Sequence, residues 1–267
     1  MKKNYIEINK ESWNSRTDIH WLSEFYDVEN FLKGKSSLNE IELQLLGNIE
    51  GKKILHLQCH FGQDSISLEK MGAQVTGVDL SDKAILRAKE LAIKTNSKAQ
   101  FICCDLYDLP QHLNGQFDLV FTSYGTITWL PDLDKWGNVI SHFLKPSGKF
   151  IFVEFHPIVW MFDNDFNHIQ YSYFNEGEIV EIEEGTYADK NVELFLESIT
   201  WNHPISEVLR ALLANNLEII SFQEYNYSPY NCFNNTKEVS KGKFIIKNLV
   251  QKIPLVYAIE AIKKELE

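Results

Sequence analysis

From residue 52 onward, short apolar runs alternate with stretches in which apolar residues recur three and four apart. Lys53 to Gln58 is such a run, ending at His60-Phe61-Gly62, and predicts a strand. Asp64 to Met71 sets Ile66 and Leu68 among polar residues, as a helix does. Gln74 to Asp79 is a second strand ending on an acid, and Ser81 is placed to cap a helix of about three turns carrying Ala84, Ile85, Ala88, Leu91 and Ala92. Ala99 to Cys104 is the third strand, again followed by an acid, Asp105. Phe117 to Thr122 is the fourth, Trp136 to Leu144 a helix, and Lys149 to Phe155 the fifth strand after a Pro146-Ser-Gly148 turn.

Strands alternating with helices of this length imply βαβ crossovers, hence an α/β, doubly wound, mostly parallel sheet. Three additions surround it in a single predicted domain spanning 1–267. Residues 1–45, rich in Trp13, Trp21, Phe25, Tyr26 and Phe31, predict an N-terminal helical cap over the core at 46–155. Residues 156–205 hold an aromatic stretch and then an acidic, β-branched one; this is too long for a plain loop and predicts an inserted antiparallel pair, placed to act as a substrate lid. In 206–267, Ser206 to Asn215 predicts a helix, and Leu217 to Gln223 with Leu255 to Ile262 a terminal antiparallel hairpin.

Composition narrows the chemistry. The chain has 267 residues, 44% apolar and 24% charged, the balance of a folded globular protein. Its net charge of -11 disfavours nucleic acid and anionic membrane as partners. The four cysteines, Cys59, Cys103, Cys104 and Cys232, lack zinc spacing and predict reduced thiols; no metal is called for. The polar N-terminus and the lack of an apolar run of ~18 residues predict a cytoplasmic location.

In doubly wound sheets ligands sit beyond the carboxyl ends of the strands, where the strand order reverses. The candidates are therefore Gln58 to Gln63, Asp79, Asp105, Ser123 to Thr126, and His156. A dinucleotide would need a glycine-rich first turn for its pyrophosphate; here Gly62 stands alone, which argues against a nicotinamide oxidoreductase. S-adenosylmethionine carries ribose and adenine but no phosphate. It asks for one close backbone approach and two acids, and the chain supplies Gly62, Asp79 for the ribose hydroxyls and Asp105 for the adenine amino group, with Leu106 and Leu80 beside the ring.

ILHLQCHFG (54–62), VTGVDLS (75–81), FICCDLYDLP (101–110), FDLVFTSYGTITWLPDL (117–133) and LKPSGKFIFVEFHP (144–157) together resemble the successive motifs of class I S-adenosylmethionine-dependent methyltransferases, in particular a bacterial subgroup of unassigned substrate. The likeness covers about residues 45–157 and implies a Rossmann-like fold. The first motif departs from D-x-G-x-G-x-G, with His56 for the acid, and Gln58 and His60 for two glycines. The resemblance implies that the turn around Gln58 and Gly62 meets the methionine end, with His60 and Gln63 nearby and Ser123 or Tyr124 beside the methyl group. It implies methyl transfer to a small-molecule acceptor by in-line displacement; the alternative is a non-catalytic S-adenosylmethionine- or nucleoside-binding protein.

His156 is the candidate general base, since imidazole titrates near neutrality; His20 and His112 rank lower. Ser228-Pro-Tyr230 is superficially similar to the Asn/Asp-Pro-Pro-Tyr motif of amide and adenine methylation. That motif follows the fourth strand, where this chain has Ser123-Tyr-Gly-Thr126, so such acceptors are disfavoured.

Overall fold

The structure, a computed structural model, describes residues 4–250 and 252–265. Three helices, α1 (Tyr5–Leu22), α2 (Val28–Leu32) and α3 (Glu40–Leu46), precede β1 (Lys53–Leu57). The alternation then runs α4 (Gln63–Lys70), β2 (Gln74–Asp79), α5 (Asp82–Thr95), β3 (Gln100–Cys103), α6 (Leu109–His112), β4 (Phe117–Ser123), α7 (Leu133–Phe143) and β5 (Leu144–Phe155). After it come the pair β6 (Ile179–Glu184) and β7 (Phe195–Thr200), then α8 (Ile205–Ala214), β8 (Leu217–Tyr225), β9 (Thr236–Ser240), β10 (Lys243–Ile246) and β11 (Val256–Lys263).

Seven strands form one sheet in the order β3-β2-β1-β4-β5-β11-β8. The first five pair in parallel, while β11 is antiparallel to both its neighbours. It follows that β8 runs with the parallel strands and β11 alone runs against them. The expected antiparallel pairing of β8 with β11 is present, and the long connection between them builds a separate two-stranded unit, β9 with β10. The order reverses between β1 and β4, which opens a crevice at their carboxyl ends.

Local chemistry explains the element boundaries. Ser81 caps α5 as its spacing implies, its Oγ accepting the Ala84 amide at 3.0 Å. The helix expected from Trp136 begins at Leu133 because Asp132 caps it, accepting from the Lys135 amide at 3.0 Å. On one sheet face α7 and α8 bury Trp136, whose ring meets Phe150 and Phe152 edge-on at 5.6 and 5.3 Å. On the other face, α3 contributes Ile41, Leu45 and Leu46 to a layer with Phe121, Ile151 and Val153.

The helical cap is attached by polar contacts. Asn9 of α1 acts as a short strand edge, its amide nitrogen donating to the Ile199 carbonyl at 2.7 Å while its oxygen accepts the Ile199 amide at 2.9 Å. Further along α1, Asn14 accepts from the Ser81 hydroxyl at 2.6 Å, and Asp18 pairs with Arg87 of α5 at 2.8 Å. One helix therefore joins the inserted β6–β7 pair to the parallel core, and it lies across the crevice.

Candidate functional site

A cavity of about 890 Å³ lies at the carboxyl ends of β1, β2 and β4, a size suited to a small-molecule ligand. Its wall includes Gln58, His60, Gly62, Gln63, Asp79, Leu80, Asp105, Leu106, Ser123 and Tyr124, so all ten positions singled out at the strand ends meet in one space.

The turn after β1 is shaped by backbone conformation. Gln58, His60 and Gly62 all have left-handed φ, at +53°, +49° and +77°. At Gly62 no other residue fits, because a Cβ there would lie 2.5 Å from the Phe101 ring. Gln58 and His60 adopt the conformation with side chains attached, at a cost of about 1 kcal/mol or more each. Neighbouring bonds hold them there. The His60 amide donates to Asp79 Oδ2 at 2.8 Å, and Gln58 Nε2 donates to the Thr126 carbonyl at 2.9 Å.

Asp79 also accepts the Ser81 amide through Oδ1 at 2.8 Å, and burial pushes its carboxyl up to about 6. Asp105 accepts the Tyr107 amide through Oδ1 at 2.7 Å, which leaves Oδ2 without a protein partner among the described residues. Gln63 donates to the Tyr26 carbonyl at 2.9 Å and so ties the cap to the first turn.

His156 is placed elsewhere. Its ring is buried, Nε2 lies 2.9 Å from Glu224 Oε1 on β8, and Nδ1 accepts the Ile158 amide at 3.2 Å. It does not border the cavity, because β5 ends with this side chain turned toward the antiparallel half of the sheet. The expected position of the candidate base is corrected accordingly.

Some contacts at the cavity wall and just behind it were not legible as such. His20 Nδ1 and His60 Nε2 lie 3.0 Å apart, and burial lowers the rings to about 2 and about 3, so both are neutral. Arg16 lies against the rings of Trp13 and Trp129, at 5.3 and 5.5 Å, and pairs with Glu183 at 2.6 Å. Three buried polar atoms on this wall, Gln58 Oε1, His60 Nδ1 and Arg16 Nε, have no partner among the described residues. Unsatisfied buried groups cost roughly 1–3 kcal/mol each, so a cluster of them marks where a polar ligand fits.

Glu154, fully buried on β5, shapes the loop after β4. Its carboxylate accepts the amides of Gly125, Thr126, Ile127 and Phe155, at 2.7 Å for Thr126 and Phe155. The clue was an acid inside the apolar run Ile151 to Phe155, which must be paired with donors to be buried. Pro229 and Tyr230 of the Ser228-Pro-Tyr230 segment, distant in sequence, also reach the wall, and Tyr230 meets Tyr124 edge-on at 5.0 Å.

Sheet order, crevice and acid-ended strands define the class I S-adenosylmethionine-dependent methyltransferase fold. A solved S-adenosylmethionine-dependent methyltransferase described as putative, from Listeria monocytogenes, superposes with a TM-score of 0.58 at 21% identity, over 84% of this chain and 97% of that one. Residues 54–148 match the family described as "Methyltransferase domain". An uncharacterized methyltransferase of Synechocystis sp. is 34% identical over 131 residues, covering 48% of this chain and 59% of the relative. A ubiquinone biosynthesis O-methyltransferase of Bordetella avium is 26% identical over 132 residues, 48% and 54% of the two chains. These alignments span between half and two thirds of the relatives' own length. The likeness to methyltransferases thus lies in the central part of the chain, and the fold is the one that class I S-adenosylmethionine-dependent methyltransferases share.

Proposed function

We propose that the protein transfers the methyl group of S-adenosylmethionine to a small-molecule acceptor. The observation that carries this is the convergence of the two strand-end acids and the left-handed first turn on one cavity, with three unpartnered buried polar atoms in its wall. Asp79 would hold the ribose hydroxyls and Asp105, through its free oxygen, the adenine amino group, with Leu80 and Leu106 against the ring. The first turn and Arg16 would hold the methionine end; a buried guanidinium suits a carboxylate.

The bound sulfonium supplies an already activated methyl group. The protein's remaining task is to hold a nucleophile in line, about 3 Å from the methyl carbon, and to exclude water. The cap, the core, the insertion and the C-terminal segment all contribute to the same wall, through Arg16, Asp79, Trp160 and Tyr230 among others, which supports reading them as one functional domain. Enclosure by these segments and the charge of -11 favour a small acceptor over nucleic acid. No helix among the described residues is long and apolar enough to cross a membrane.

Calorimetric titration with S-adenosylhomocysteine tests the proposal. Micromolar binding is expected, falling at least tenfold, about 1.4 kcal/mol, in Asp79→Ala. A folded wild-type protein that fails to bind would overturn it.

A further inference from the structure

Beyond the adenosine end, the cavity has a second compartment of different chemistry. Tyr124 stands over Phe155 at 5.5 Å and Tyr230 at 5.0 Å, and Phe155 is met edge-on by Phe233 at 5.0 Å and Trp160 at 5.9 Å. The insertion and the β8–β11 connection thus supply an aromatic box around the end of β4. One carboxylate, Asp64, borders this compartment, and a second, Glu42, lies behind Tyr124 and off the cavity wall. Asp64 accepts the hydroxyls of Ser37, at 2.5 Å, and of Ser123, at 3.4 Å. Glu42, fully buried, accepts the Tyr124 hydroxyl at 3.0 Å.

Neither carboxylate is ion-paired among the described residues, and the buried cation on the same wall, Arg16, is taken up by Glu183. A half-buried carboxylate on the cavity wall, without a counter-ion and beside a cluster of aromatic faces, forms an environment that an organic cation satisfies. We infer that the acceptor is an organic amine that enters as its ammonium form, recognised by Asp64 and the aromatic box. This rests on the proposed methyltransferase activity and names its substrate class.

Burial raises both carboxyl groups, Glu42 to about 7, and the charge of Asp64 adds to the push on Glu42. Asp64, the one of the two on the cavity wall, is therefore competent to take a proton from a bound ammonium. The balance is complete: the ammonium proton passes to a carboxylate, the freed nitrogen pair forms the N–C bond, and the C–S pair stays on sulfur. The product leaves as the methylated amine with its remaining protons.

The test uses the protein saturated with S-adenosylhomocysteine and reads binding by tryptophan fluorescence and calorimetry near neutral pH. Two matched pairs serve as probes: choline against 3,3-dimethylbutan-1-ol, and benzylamine against benzyl alcohol. In at least one pair the cation is expected to bind tenfold or more tightly than its neutral counterpart, and Asp64→Asn to abolish that preference while S-adenosylhomocysteine affinity changes less than threefold. Equal binding within both pairs, or no binding by any probe, would overturn the inference. So would an Asp64→Asn variant that loses S-adenosylhomocysteine affinity and keeps the preference, since the acid would then serve the cofactor's own ammonium. The comparison within the wild type does not depend on the variant folding. Failure to bind S-adenosylhomocysteine at all would instead refute the methyltransferase proposal, and this inference with it.

Discussion

Glu42 is the residue whose ionisation weighs most on stability. Burial is the first cause of its rise from 4.5 to about 7, followed by the charge of Asp64, and the hydrogen bonds it accepts only partly offset them. The sign follows from proton linkage. Below about pH 4.5 the carboxyl is protonated in both folded and unfolded chains and costs nothing. Between about 4.5 and about 7 the unfolded chain has released its proton while the folded one keeps it, so stability falls across that window by roughly 3 kcal/mol and levels off above it. Glu42→Gln should therefore be more stable than the wild type at about pH 8, with the gap closing toward about pH 5, as measured by urea unfolding. A gap independent of pH would contradict this origin. The strand-end acids and Gly62 were legible in the sequence because their chemistry is tied to a motif position. Arg16, His20, Glu42 and Glu154 were not, because their roles depend on partners far away in the chain.

At the scale of elements, the strands and helices of residues 53–155 follow from hydrophobic period, and their boundaries from Ser81 and Asp132 as caps. The cap helix α1 was predicted only as helical segments, and the reason is physical. Its buried residues are Asn9, Ser12, Arg16, Thr17 and His20, a polar face turned toward a ligand cavity and an edge strand, so no apolar stripe marks its inner side. The polar contacts are what hold it. Asn9→Ala should remove two buried hydrogen bonds to Ile199 and destabilise the protein by about 1–3 kcal/mol, measured as a shift in the urea midpoint. Arg87→Ala, which removes an exposed pair with Asp18, should cost less than 1 kcal/mol. Equal costs would mean that the Asn9 bridge does not anchor the roof.

Across the whole molecule, the sequence indicated a parallel sheet closed by antiparallel strands. It did not reveal that β11 is inserted between β5 and β8, since pairing order is a long-range property that no local pattern encodes. The assembled architecture has one half closed by apolar packing, where α7 and α8 cover the sheet through Trp136, and another held by polar contacts, where α1 and the β6–β7 pair cover the cavity. Ligand binding should affect the two unequally. With S-adenosylhomocysteine at a hundred times its dissociation constant, global stability should rise by about 2.7 kcal/mol. Amide exchange should slow most in α1 and β7 and least in α7 and α8, as hydrogen-exchange mass spectrometry would show. Uniform slowing would mean that the roof does not open separately from the core.

The first turn also bears on how such proteins are found in genomes. Gln58 and His60 trace the left-handed path that glycine usually provides, so the sign of the torsion angle is present without the residue that advertises it. A search that counts glycines scores this loop as decayed, while one that compares backbone paths scores it as intact. Where glycines leave no side chain, this chain has an amide oxygen and an imidazole nitrogen facing the cavity. A missing glycine in a loop of this kind is thus better taken as a change in what the pocket can grip than as the loss of the pocket.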